Sequence, residues 1–142
     1  MKDREDFFVR VTLSPEQART VIAALDFYAR IMSGQFDELT RVFSTNLHGQ
    51  RDEVDRMMSA VRAICLPKLH PRDSGYGIAE CPNEWARIAF DILQVIRQVE
   101  IIARSPDGPR VLVSYDSPHF VSASEPRPVA KAINTLDRLA EI

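Results

Sequence analysis

The stretch "RIMSGQFDEL", Arg30 to Leu39, sets a Ser-Gly pair between two apolar segments, and its reading decides the fold. Ser-Gly is ordinary turn punctuation. The residues around it argue the other way. Ala18, Ile22, Leu25, Ala29, Met32, Phe36, Leu39 and Phe43 recur at intervals of 4, 3, 4, 3, 4, 3 and 4, the repeat of a buried helix face. Because the stripe crosses Gly34 in phase, the spacing predicts one helix from Pro15 to Thr45, bent at Gly34. Two helices meeting at Gly34 are the alternative. Glycine inside a helix costs about 1 kcal/mol relative to alanine. The expected compensation is a close approach to Gly34 by another helix, a subunit or a ligand.

Upstream, "FFVRVTLS" alternates, with Phe7, Val9, Val11 and Leu13 on one face, and predicts a half-buried strand. "SPEQ" then starts the helix, with Ser14 and Gln17 spaced for a capping box and Pro15 in the first turn. Downstream, "NLHGQ" interrupts the pattern, and Val54, Met57, Met58, Val61, Ile64 and Cys65 mark a second helix that Pro67 stops. Pro67 to Pro82 is a long loop, a length usually tied to function or mobility. "NEWARIAFDILQVIRQVEIIAR", with Asn83 as cap, is the most apolar helix, its polar stripe formed by Arg87, Asp91, Gln94 and Gln98. After the turn "SPDGPR", "RVLVSY" and "HFVSAS" predict a strand pair, and "PRPVAKAINTLDRLAEI" predicts a closing amphipathic helix. The expected architecture is α+β in a single domain, residues 1–142, with three or four helices on a small antiparallel sheet of the N-terminal strand and the late hairpin.

Composition narrows the function classes. Eighteen basic and twenty acidic residues give a net charge of −2, so the whole-chain field is weak and argues against bulk DNA or membrane-surface binding. No apolar run reaches the ~20 residues of a membrane helix. "MKDREDFF" lacks a signal-peptide core, and two cysteines without CxxC spacing fit a reducing compartment, so the expected location is the cytoplasm. Phosphate-loop, dinucleotide, zinc-protease and nucleophile-elbow motifs are all missing, which lowers the prior for an enzyme. Cys65, His70 and Cys81, with His48 or His119, lack the tight paired spacing of zinc ligands, so no metal and no cofactor is expected.

The Pro67–Pro82 loop carries the densest chemistry. Lys68, His70 and Arg72 lie within five positions, and Tyr76 stands between two glycines. Cations bind phosphate, an aromatic face stacks on a base, and glycine lets backbone N–H groups approach an anion. A solvated loop with no specific role is the plainer account. Arg30, Asp91, Gln94 and Arg97 sit on apolar helices, where internal salt bridges such as Asp91–Arg30 are the plain explanation. A ligand pocket or subunit interface is the sharper one.

"LSPEQARTVIAALDFYARIMSGQFDEL", "YGIAECPNEWARIAFDILQVIRQ" and "VLVSYDSPHFVSASEPRPVA" together resemble a recurrent family of small, mostly uncharacterised bacteriophage and prophage proteins. The resemblance rests on Leu25 to Phe36, Tyr76 to Ile78 and Asp91 to Arg97, and it implies a phage-derived accessory protein in a bacterial cytoplasm. Small phage proteins frequently neutralise host defences, some by sequestering nucleotide signals, an argument from class alone. The leading expectation is a non-enzymatic homo-oligomer, assembled through its long N-terminal helix, that binds a small anionic ligand such as a nucleotide immune signal. Arg30 and Arg97 would meet phosphate, Gln35 and Gln94 would read polar edges, Tyr76 would stack, and Lys68, His70 and Arg72 would close the loop. Two alternatives stand beside it: a protein–protein inhibitor of a host enzyme or defence protein, and an enzyme acting on nucleotides through His70 or His119.

Overall fold

The computed structural model describes residues 9–104, 118–123 and 126–133. Helix α1 runs Pro15–Met32, α2 Asp37–Val42, α3 Arg51–Cys65 and α4 Glu84–Arg104, with single 3-10 turns at Ser44–Asn46 and Ile78–Glu80. Helix α1 starts at the capping box: Ser14 Oγ accepts from the Gln17 N–H at 3.2 Å, and Gln17 Oε1 accepts from the Ser14 N–H at 2.8 Å. Asn83 caps α4, its Oδ1 accepting from the Ala86 N–H at 3.0 Å.

The predicted α+β architecture is not what forms. Among the described residues there is no strand, and the fold is helical. Residues 9–13 are irregular, with Val9 74% and Val11 66% exposed. Alternation alone does not make a strand: a lone strand leaves its backbone groups unpaired, and an isolated pair is at best marginal in water. Phe7, Phe8 and the predicted strand Arg110–Tyr115 lie outside the described residues. Residues 119–123 of the other predicted strand are irregular too. In the predicted closing helix, residues 126–133 are irregular and residues 134–142 lie outside the described set.

The single long helix is also corrected. The chain turns at Gly34 in a Schellman cap, where the Gly34 N–H donates to Ile31 O at 3.0 Å and the Gln35 N–H to Arg30 O at 2.9 Å. Gly34 has φ +90°, a conformation that favours glycine. Helix α2 follows, so the alternative of two helices meeting at Gly34 is the one realised. The shared phase survives because Phe36 and Leu39 still reach the body after the turn, both half-buried.

Helices α1 and α4 pack antiparallel as the main body. The Arg19–Glu100 pair at 2.9 Å marks one end, and the Cys81 thiol donating to Met32 O at 3.5 Å marks the other. Between them Ala29, Ala86, Ala89, Leu93 and Val95 are buried, and the alanines permit close approach. Helix α3 packs chiefly on α2 and contributes no fully buried residue.

Candidate functional site

The end of the bundle where α1 stops and α4 starts collects most of the sequence-predicted residues. Loop residues 66–77 lie across the Schellman turn. The Tyr76 N–H donates to Ser33 O at 2.7 Å. A Cβ on Gly75 would lie 2.8 Å from Ser33 O and 2.9 Å from Gln35 Cγ. A Cβ on Gly34 would lie 2.8 Å from Leu66 Cδ1 and 2.9 Å from Leu69 Cδ2. Backbone thus meets backbone closely at Gly75, while Gly34 leaves room for the side chains of Leu66 and Leu69.

Arg30 is engaged with Gln35 and with two acids. Arg30 Nε donates to Asp26 Oδ2 at 2.8 Å, while Nη1 donates to Gln35 Oε1 at 3.2 Å and lies 3.4 Å from Glu38 Oε1. Glu38 is itself buried and accepts from Arg41 Nε at 2.7 Å. The hydrogen bond to Asp26 raises the Arg30 pKa, burial opposes that shift, and the charges of Asp26, Glu38 and Asp37 add to it. A phosphate would have to compete with these carboxylates. The salt bridge expected between Arg30 and Asp91 does not form: Arg30 takes Asp26 one helical turn back, the cheaper local pair.

The remaining loop cations face solvent. Lys68, His70 and Arg72 are exposed, and Tyr76 is half-buried. His70 Nδ1 accepts from the Arg72 N–H at 3.1 Å, which turns the imidazole back onto its own loop. Next to this loop an open cleft of about 320 Å³ lies between α2 and α3. Its walls include Phe36 and Met58 but also Asp37, Asp55 and Asp73 against one guanidinium, Arg62. Arg62 already donates to Pro71 O at 2.9 Å. Three carboxylates give the cleft a negative field that disfavours an anion.

Helix α4 does something its sequence conceals. Its polar stripe, where internal salt bridges were the plain expectation, holds a later segment of the chain instead. Asp91, 1% exposed, accepts from the Val121 N–H at 2.8 Å and the Ser122 N–H at 3.0 Å. Glu84 Oε1 accepts from the Ala123 N–H at 2.9 Å, and Gln94 Nε2 donates to His119 O at 2.8 Å. Arg127 lies 3.8 Å from Asp91 Oδ2 and sits over the Phe120 ring at 5.2 Å. Glu84 is also paired with Arg87; that bond first, and the Ala123 N–H second, hold its carboxyl below the usual range. Gln94 is therefore a structural clamp, while Arg97 is exposed. The sequence gives no warning of this role, because backbone N–H groups carry no residue identity.

Among the described residues no group of three His, Cys, Asp or Glu side chains is placed to hold a metal ion. Cys65 is exposed and Cys81 is buried, both as free thiols. Among the described residues no helix is long and apolar enough to cross a membrane. Comparison of the chain with protein-family models, with curated proteins and with solved structures finds no match in any of the three.

The surface that sequence reasoning undervalued is α3. Val54, Met57, Val61 and Ile64 are spaced 3, 4 and 3, the a/d seam of a heptad repeat. The helix sits on the body through Val54, Asp55, Met58 and Arg62, which are all half-buried. That orientation leaves Met57 58%, Val61 41% and Ile64 79% exposed.

Proposed function

We propose that this chain is a non-enzymatic accessory protein, phage-derived by its resemblance, that works by protein–protein contact through a helical face. One contrast carries the reading. Of the polar groups expected to read a small anion, three are engaged within the fold: Arg30 by Asp26 and Glu38, Gln35 by Arg30, and Gln94 by His119 O. What α3 offers outward is instead an apolar seam. Hydrophobic side chains aligned at helical spacing are the usual anchors for a partner helix. The test replaces Met57 and Ile64 together by Asp, exposed positions where the fold tolerates charge. The variant should keep its helical circular dichroism and lose its protein partner and its biological effect. Unchanged partner binding would refute the reading.

A second reading retains the small anionic ligand, a nucleotide, restricted to the loop. Lys68, His70 and Arg72 are exposed, and no ion pair engages them among the described residues. Heat-denatured protein would then release a nucleotide detectable by mass spectrometry. Thermal shifts across a nucleotide panel would vanish in a Lys68→Ala/Arg72→Ala variant. Absence of both signals removes this reading.

A further inference from the structure

Helix α3 has a geometry that selects among partners. Its outward seam runs from Met57 to Ile64, one heptad, and its ends differ in charge: Asp52 and Glu53 follow Arg51 in the first turn, while Arg62 lies in the last turn and Lys68 just beyond. Glu53 and Lys68 are both exposed. Placed parallel, two copies of α3 would set Glu53 against Glu53 and align the two helix dipoles. Placed antiparallel about a two-fold axis near Val61, they set Met57 of each copy against Ile64 of the other, and Glu53 of each near Lys68 of the other. The acidic N-terminal turn then lies by the partner's helix C-terminus, which the helix dipole favours. A two-fold interface requires a self-complementary patch, and this register supplies one.

We infer that the α3 seam is the contact between two copies of this chain, paired antiparallel through Met57, Val61 and Ile64 with Glu53–Lys68 bridges at both ends. The inference rests on the reading of α3 as the working face and names its occupant. It moves the expected homo-oligomer contact from the N-terminal helix, which is broken at Gly34, to α3. One heptad makes a small interface, so the association is weak and reversible.

The test uses the full chain. Sedimentation velocity over a concentration series should show a reversible monomer–dimer equilibrium that the Met57→Asp/Ile64→Asp variant abolishes. Glu53→Lys should weaken the dimer about tenfold, and adding Lys68→Glu should restore it. Register is read by cysteine cross-linking in a Cys65→Ser background; Cys81 is fully buried and stays silent. Val61→Cys lies at the axis and should form a disulfide-linked dimer. Met57→Cys alone should not, because antiparallel pairing holds its two copies roughly 12 Å apart along the helices. Equal cross-linking at Met57 and Val61 would overturn the antiparallel pairing. A wild-type chain that stays monomeric throughout the series would overturn the dimer itself. If such a monomer still loses a heterologous protein partner on the Met57→Asp/Ile64→Asp change, only the self-pairing falls and the protein-contact reading stands. If that variant alters neither assembly nor partner binding, both fall.

Discussion

Replacing Gly34 by alanine distinguishes the folded turn from a helix running through it, because the two arrangements predict opposite signs. In a continuous helix, alanine would stabilise by about 1 kcal/mol. In the observed turn, φ is +90°, and an L-residue held in left-handed backbone costs on the order of 1–2 kcal/mol. The new methyl would also lie 2.8 Å from Leu66 Cδ1 and 2.9 Å from Leu69 Cδ2. Both are side-chain tips that can shift, so the overpacking falls at the low end of its range, about 1 kcal/mol. Reduced freedom of the unfolded chain returns about 0.4–1 kcal/mol. The net expectation is a loss of about 2 kcal/mol, or about 7 °C in Tm for a domain of this size. Differential scanning calorimetry reads it directly. Adding Leu69→Ala should give a double variant whose loss is smaller than the sum of the two single losses, since one clash is removed. An unchanged or raised Tm in Gly34→Ala would refute the turn and its cap.

Three further outcomes follow from named contacts. Thr40 is 1% exposed and its Oγ1 has no hydrogen-bond partner among the described residues, so Thr40→Val should stabilise by about 1 kcal/mol, seen as a higher urea midpoint with unchanged m. Asp91→Asn removes the charge and one acceptor from the Val121 and Ser122 amides, so those two protons should exchange roughly 10- to 100-fold faster while the α1 and α4 amides stay protected. The folded pKa of Glu84 is lowered, so its bond to Ala123 stabilises above the unfolded value and fades as pH falls through the folded one. The Ala123 amide shift should therefore titrate below the ordinary glutamate range in the wild type, and Glu84→Gln should abolish that transition.

Helix starts were legible where local chemistry sets them: the Ser14–Gln17 box and the Asn83 cap form as their residue types require. The end of α1 was also written in the chain, as a glycine directly after the last periodic residues. The unbroken apolar phase outweighed it, because a tight turn that returns Phe36 and Leu39 to the body imitates a continuous helix. The N-terminal alternation misled for another reason: whether Val9 and Val11 form a strand depends on a pairing edge elsewhere, which local pattern does not contain. In the candidate site, the cations of the loop were visible as residue types. The pairing of Arg30 with Asp26 at i−4 was a local ion pair that spacing already offered. Asp91 was the least legible, since the hydrogen bonds it accepts from Val121 and Ser122 come from peptide groups.

That last arrangement sets a rule of substitution. Glu84 and Asp91 grip the N–H groups of residues 121–123. The chain places prolines at 118, 126 and 128, yet none within the gripped triplet. A saturation library across this segment should therefore show a narrow scar. At exposed Ala123 every residue with a peptide hydrogen should survive and proline alone should fail. At buried Ser122 the same proline intolerance should be joined by a limit on size. A position held in this way, such as exposed Ala123, can change its side chain while the path of the chain along α4 stays fixed.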